Sequence, residues 1–308
     1  MKAAILNDYA TPVKVTDIAK PALLDDSVMI EVHASSVNPV DNLIRAGYLK
    51  GVLPIRFPYT MGNDVSGVVT EVGKDVTRFA VGDAVFARPN SMQSGTFAEY
   101  VVVKEQDLAA KPSKLSHEQA ASLPLVALTA WQALVSKAKL QAGQKVLIHA
   151  GSGGVGSMAI QIAKHLGATV VATTSTANVA LVKSLGADQV IDYKTQDFVE
   201  LVKDCDVVFD TLGGSTRTKS FAVLKKGGCL ISVIAPGDTS GEAEKLGVRN
   251  ETFFMWASGE QLAQVGVLVD RGVINPVVDR SFSLDEVQQA LDYSQSGRAK
   301  GKIVVKVK

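Results

Sequence analysis

The rhythm of apolar and polar positions changes twice along this chain. Through the first 110 residues, short apolar runs are separated by Gly, Pro and Asp. Segments 1–6, 28–33, 65–72, 84–87 and 97–103 read as strands. Triplets such as Val81-Gly82-Asp83 mark turns between them. Only the stretch around 38–46 competes as a helix. This part predicts a compact β barrel or sandwich.

At Ser116 the pattern becomes helical. Ser116 and Gln119 stand at capping-box spacing, and an apolar helical pattern follows over 120–138. From 144 onward strand and helix alternate. Strands are expected at 145–150, 169–173, 190–191, 207–210 and 229–234, with helices at 155–166, 179–185 and 215–224. Such alternation needs right-handed crossovers and predicts a doubly wound parallel sheet. In the first of these helices Val155, Ala159, Ile162 and Leu166 should form the buried face. A loop over 237–247 and a helix over 259–270 follow. A second helix is opened by Ser283 with Glu286 and stops near Gly297. The closing strand, 303–307, can return to the N-terminal β unit.

Composition narrows the field. At 308 residues the chain exceeds the roughly 250–300 at which single cores stop growing, so two domains are expected. Apolar residues at 46% and charged residues at 20% describe a globular chain. A net charge of +1 supplies no field for nucleic acid or an anionic membrane, and neither is expected as a partner. The basic run Arg298-Ala299-Lys300-Gly301-Lys302 reads as solvated surface. Cys205 and Cys229 lie in apolar, strand-like stretches and are expected as buried, reduced thiols. The first ten residues alternate like a strand rather than a signal peptide, and Pro124 breaks the longest apolar stretch. A cytoplasmic protein is expected.

Strand 145–150 runs directly into Gly151-Ser152-Gly153-Gly154-Val155-Gly156 ahead of a helix. A G-x-G-x-x-G turn alone is common; between a buried strand and an amphipathic helix it reads as a dinucleotide loop. Here Gly151 would permit the tight turn, Gly153 would let the backbone approach a pyrophosphate, and Gly156 would let the helix pack on the strand. Ser152, Gly154 and Val155 complete the loop, where the helix N-terminus offers N–H groups to the phosphates. An NAD site carries Asp or Glu about 20 residues further on, to hold the ribose hydroxyls. The second strand instead ends in Thr173-Thr174-Ser175-Thr176, with no acid until Asp188. NADPH is therefore the expected cofactor.

Several motifs now coincide. They are Ser36-Val37-Asn38-Pro39-Val40-Asp41, Gly62-Asn63-Asp64, Gly82-Asp83-Ala84-Val85 and Leu128-Thr129-Ala130-Trp131, then the glycine loop, Phe209-Asp210-Thr211-Leu212-Gly213-Gly214 and Gly301-Lys302-Ile303-Val304. In this order, over nearly the whole chain, they resemble the medium-chain dehydrogenase/reductase superfamily. Within it the sequence is most similar to the zinc-independent quinone oxidoreductases and enone reductases. The resemblance implies an α/β protein, with a GroES-like β barrel over 1–120 completed by 266–308, and an inserted Rossmann domain over 121–265. It implies a cleft between the two for nicotinamide and substrate, and a homodimer. It places a 2′-phosphate pocket at Thr174, Ser175, Asn178 and Tyr193, with Asn178 where relatives often carry a basic residue. Thr129 matches a position near the nicotinamide, and Val233 to Ala235 match the backbone beside its carboxamide.

Zinc alcohol dehydrogenases of this fold carry a Cys in the segment that is Asn38 to Asp41 here, and Gly-His-Glu in place of Gly62-Asn63-Asp64. Catalytic zinc needs three N, S or O ligands and an open position. The first 200 residues hold no Cys, and His33, His117, His149 and His165 are scattered, so no metal is expected. Without a Lewis acid, a quinone or α,β-unsaturated carbonyl is the tractable acceptor, because conjugation already makes it electron-poor. A hydrogen-bond donor to the developing oxygen would lower the barrier, with Asn38, Tyr48, Tyr59 and Thr129 as candidates. Asp41 and Arg45 are expected to pair, and Phe57 with Phe253, Phe254, Met255 and Trp256 to line an apolar pocket or a core. The expected activity is NADPH-dependent reduction of a quinone or enone. The alternatives are a reductase of another small carbonyl and a non-catalytic NADPH-binding redox sensor.

Overall fold

The computed structural model describes residues 1–90, 95–234 and 240–308, and the chain divides into two compact units. Met1–Leu128 with Trp256–Lys308 forms the first. Its larger sheet runs Val278–Ser283, Lys302–Lys306, Ser27–Val37, Asp64–Val72, Ala84–Ala87 and Leu108–Ala110, with Tyr100–Lys104 also paired to Ser27–Val37. Every pair is antiparallel except the first. Ser27–Val37 is central because β-branched and small residues fill both of its faces: Val28, Ile30 and Val32 pack with Val65, Val85 and Val101 in one core. A second core gathers Leu6, Val37, Met61, Phe97, Leu291 and Ile303. The register sets Ser36 opposite Asp64 and Ile303 opposite Val37. Three distant stretches of chain therefore converge where helix Pro39–Arg45 begins.

The second unit, Thr129–Met255, is built on a six-stranded sheet with every pair parallel. Its order is Gln189–Asp192, Thr169–Thr174, Lys145–Ile148, Cys205–Asp210, Leu224–Ser232 and Arg249–Thr252. Counted along the chain this is 3-2-1-4-5-6, the doubly wound dinucleotide-binding order, whose switch point lies between the first and fourth strands. The α/β reading holds, with one largely antiparallel β unit and one parallel-sheet unit.

Three local expectations are corrected. The 120–138 helix is in fact His117–Ala121, Pro124–Trp131 and a π-helical turn over Gln132–Lys137, because Pro124 cannot continue the first piece. The loop expected over 237–247 contains helix Ser240–Leu246, and strand Arg249–Thr252 follows it unannounced. That strand is a polar edge, with little alternation to reveal it. In helix Gly154–His165 burial is wider than one face: residues 156–163 are all buried, while Val155 and Leu166 are only half-buried.

Candidate functional site

Strand Lys145–Ile148 is followed by His149 and Ala150, and the turn into helix Gly154–His165 is made there. Ala150 takes the left-handed backbone (φ 53°), so the strain of the turn rests on it and not on Gly151. Gly151 answers a need for space instead: a Cβ there would press on Ala172, Ile160 and Val182 at 3.1–3.3 Å. A Cβ at Gly156 would overlap the Ala150 carbonyl oxygen, so glycine lets the helix lie against the turn. At Gly153, the helix N-cap, a Cβ would meet only the Ala150 oxygen at 3.3 Å, and the outer side of the loop stays open. The N–H groups of Gly154, Val155 and Gly156 precede any helical carbonyl that could accept them. An open glycine at the positive end of a twelve-residue helix, at the sheet's switch point, fits a pyrophosphate.

Beside the loop lies a cluster of neutral donors and acceptors. Thr174 Oγ1 and Asn178 Nδ2 both donate to Ser152 Oγ, at 2.9 and 3.1 Å, and Asn178 Nδ2 also reaches Ser175 Oγ. Asn178 Oδ1 is buried without a partner, an acceptor waiting for a donor such as a ribose hydroxyl or an exocyclic amine. Two charged neighbours escaped the sequence reading. Asp192 accepts from Thr176 Oγ1 at 2.6 Å, and the Lys194 ammonium lies 5.3 Å over the exposed ring of Tyr193. Asp192 ends the third strand, where the register pairs it with Thr174, and Lys194 comes two residues later.

At the ends of the fourth and fifth strands a buried network sets the backbone. Asp210 accepts from the N–H groups of Leu212 and Gly213 and from Ser232 Oγ. Arg217 is almost wholly buried and donates to the Ile234 carbonyl, Asn250 Oδ1 and Thr252 Oγ1. Val233, half-buried, is bonded through its N–H to the Asp210 carbonyl, while Ala235 lies outside the described residues. His149 is held between Thr173 Oγ1 and Ser220 Oγ, and burial pulls its pKa down to about 4, leaving a neutral linker. Thr129 is buried in helix Pro124–Trp131.

In the first unit, the sequence candidates fall around a buried polar cluster. Asp64, wholly buried, accepts from four donors: Ser36 Oγ (2.7 Å), Asn38 Nδ2 (2.8 Å), Lys302 Nζ (3.2 Å) and the Leu125 N–H (2.7 Å). Lys302 Nζ also donates to Asn38 Oδ1. Both ends of the Asn38 amide are thus engaged inside the protein. Asp41 caps its own helix by accepting from the Asn38 N–H at 2.7 Å, and it accepts from Asn63 Nδ2 at 2.6 Å. Burial raises Asp41 to about 6, against the pull of those donors and of Lys302. Burial lowers the Lys302 ammonium pKa while Asp64 and Asp41 hold it up.

Several expectations change here. Asp41 does not pair with Arg45: it turns inward as the capping residue, while Arg45 reaches Asp292 and Gln295 on the C-terminal helix. Lys302 is not solvated surface but 5% exposed, because the strand it opens packs against Ser27–Val37. The histidines are not all scattered, since the rings of His33 and His117 lie 4.3 Å apart. Tyr59 is buried, and burial followed by the Asp41 charge raises its phenol well above its usual pKa. Tyr48 is 78% exposed and stands clear of the cluster's burial. Of the apolar run, Phe253 is buried, and Phe254 and Trp256 are exposed.

Comparison with known proteins places these features. Residues 24–113 match the alcohol dehydrogenase GroES-like domain, and residues 185–305 match a zinc-binding dehydrogenase domain. The chain is 39% identical to the mouse mitochondrial NAD(P)H oxidoreductase RTN4IP1, over 92% of this chain and 82% of that one. It is 37% identical to the chloroplastic NADPH-dependent alkenal/one oxidoreductase of Arabidopsis thaliana, over 99% and 79%. The solved quinone oxidoreductase of Coxiella burnetii superposes with a TM-score of 0.90 at 37% identity, covering 100% of this chain and 99% of that one. The domain name raises zinc, and the donor set argues against it. Around Asn38, Asn63 and Asp64 there is neither thiolate nor imidazole, and an ammonium already lies against Asn38 and Asp64. Among the described residues no group of three His, Cys, Asp or Glu could hold a metal ion, and no helix is long and apolar enough to cross a membrane.

Proposed function

The chain belongs to the medium-chain dehydrogenase/reductase superfamily, in its quinone oxidoreductase group, and from that premise we propose an NADPH-dependent, metal-free enzyme that passes hydride to a quinone or an α,β-unsaturated carbonyl. The observation that carries this reading is the open Gly153 cradle at the N-terminus of helix Gly154–His165. When bound, reduced nicotinamide supplies the hydride. The chain's own residues bind, orient and donate. Gly153, Gly154, Val155 and Gly156 receive the pyrophosphate, with Gly151 and Ser152 shaping the turn. Thr174, Ser175, Asn178 and Tyr193 surround the adenosine ribose, with the Lys194 ammonium balancing a 2′-phosphate. Val233 and Ala235 present backbone to the carboxamide, and Thr129 lies near the nicotinamide.

On the acceptor side the four candidates divide by environment. Asn38, with both ends of its amide occupied, positions rather than donates. The Tyr59 phenol stays protonated, since burial disfavours its phenolate, and keeps a proton to share at any working pH. Tyr48 carries its hydroxyl exposed, in reach of an incoming carbonyl oxygen. A conjugated acceptor suits this set, because it needs placement and one hydrogen bond rather than a Lewis acid. We also propose a homodimer in the cytoplasm. The two buried free thiols suit a reducing compartment, although relatives carry mitochondrial and chloroplastic names.

The test is loss of NADPH absorbance against a panel of quinones, enones, simple ketones and aldehydes, with NADH and a chelator in parallel. Turnover of quinones or enones with NADPH, indifferent to the chelator, is expected. Turnover confined to simple ketones, or abolished by the chelator, overturns the acceptor reading. NADPH binding with no turnover of any acceptor would favour the redox sensor.

A further inference from the structure

We propose that Lys302 is the resident cation of the first unit, its ammonium balancing Asp64 and fixing the Asn38 amide so that the floor under helix Pro39–Arg45 holds its shape with no metal. The proposal deepens the metal-free part of the functional reading. Three observations converge on it. The Lys302 and Asp64 side chains are 5% and 0% exposed, and their charged atoms stand 3.2 Å apart. Removing either partner strands a charge away from water. Lys302 reaches both Asn38 and Asp64, side chains from separate stretches of chain that the strand register brings together. It is this double contact that orients Asn38, whose Oδ1 faces the ammonium while its Nδ2 faces the Asp64 carboxylate. A divalent cation bound by the same oxygens would stand within a few ångströms of the ammonium and be repelled by it.

The backbone enforces the placement. Gly301 has a left-handed backbone (φ 70°), and a Cβ on it would overlap the Val277 carbonyl, so the chain enters its last strand in one way, with Lys302 inward. The other ionisable groups of the neighbourhood are Asp41, Tyr59 and Arg88, with Asp107 acting on Arg88. Arg88 is half-buried and feels Asp64 most strongly among the charges that favour its cationic form.

Two measurements on the full-length protein test the assignment, and neither reads turnover, so a wrong acceptor leaves it standing. The first compares thermal unfolding of the wild type, Lys302→Met, and the double variant Lys302→Met with Asp64→Asn. Lys302→Met should lower Tm by roughly 10 °C, the loss expected when one partner of a buried pair is removed from a domain of this size. The double variant should regain half or more of that loss, because no charge is left stranded. A single variant as stable as wild type, or a double variant no better than the single, overturns the proposal. The second titrates wild type with Zn²⁺ and with Co²⁺, following heat and the visible cobalt spectrum. No saturable binding is expected, and one tightly bound ion per chain overturns the proposal even if Lys302→Met fails to fold.

Discussion

Gly156 lies so close under the carbonyl of Ala150 that no Cβ fits between them. The contact is between helix and turn backbone, so neither side can yield by a side-chain rotation. Gly156→Ala should therefore push the first helix off its strand and destabilise the protein by about 1–3 kcal/mol, the usual cost of overpacking. Thermal unfolding checks this, and an unchanged Tm would contradict the packing described here.

Gly153 gives the opposite expectation. Its surroundings are open, so Gly153→Asp should leave Tm nearly unaltered while the added carboxylate repels the pyrophosphate. Equilibrium binding of NADPH should weaken by two orders of magnitude or more, roughly 3 kcal/mol. Retained affinity would remove this loop from the cofactor site.

The partition between NADPH and NADH should rest on Lys194. Lys194→Gln is expected to raise the KM for NADPH several-fold and leave that for NADH alone. The wild-type preference should also shrink at high salt, as expected for an exposed ion pair. Equal effects on the two cofactors would place the 2′-phosphate elsewhere.

Asp41 should make the protein less stable as pH rises. Its pKa is raised to about 6 in the folded chain from 3.8, so the folded state binds the extra proton more tightly than the unfolded state. The stabilisation is fully present below pH 4 and is lost as pH climbs through 6. At about 1.4 kcal/mol per unit this is on the order of 3 kcal/mol. Asp41→Asn should flatten the slope between pH 4 and 6, since its amide can donate to the unpartnered Asn63 Oδ1 once that side chain turns. Chemical denaturation at stepped pH reads the slope directly.

Cys205 should resist thiol reagents in the native protein. It is wholly buried, and desolvation pushes its thiol up to about 12, so both access and thiolate are lacking. Labelling should follow unfolding, and rapid modification of the folded protein would contradict its place in the core.

The sequence exposed what repeats or alternates. The parallel strands Lys145–Ile148 and Cys205–Asp210 are short apolar runs bounded by polar turns, and the glycine loop stands between two such signals. Ser116 and Ser283 announced their helices because a capping box is a local device, needing only residues three apart. What stayed hidden was long-range. In the sequence Lys302 sits in the same basic run as Lys300, and the left-handed backbone of Gly301 that separates them shows only in the structure. The pairing with Ser27–Val37, more than 250 positions earlier, brings it to Asp64. Asp192 was hidden in the same way, paired with Thr174 across neighbouring strands rather than along the chain.

The pairing of Lys302–Lys306 with Ser27–Val37 also has a meaning in time. A ribosome makes the long central strand before the whole parallel-sheet unit, and the neighbouring strand Lys302–Lys306 only after it. Until residues 302–306 emerge, the first unit lacks the strand that covers one side of Ser27–Val37 and the lysine that balances Asp64. The parallel-sheet unit, Thr129–Met255, is one continuous stretch of chain and can close before they do, so the unit whose strands start earlier is completed later.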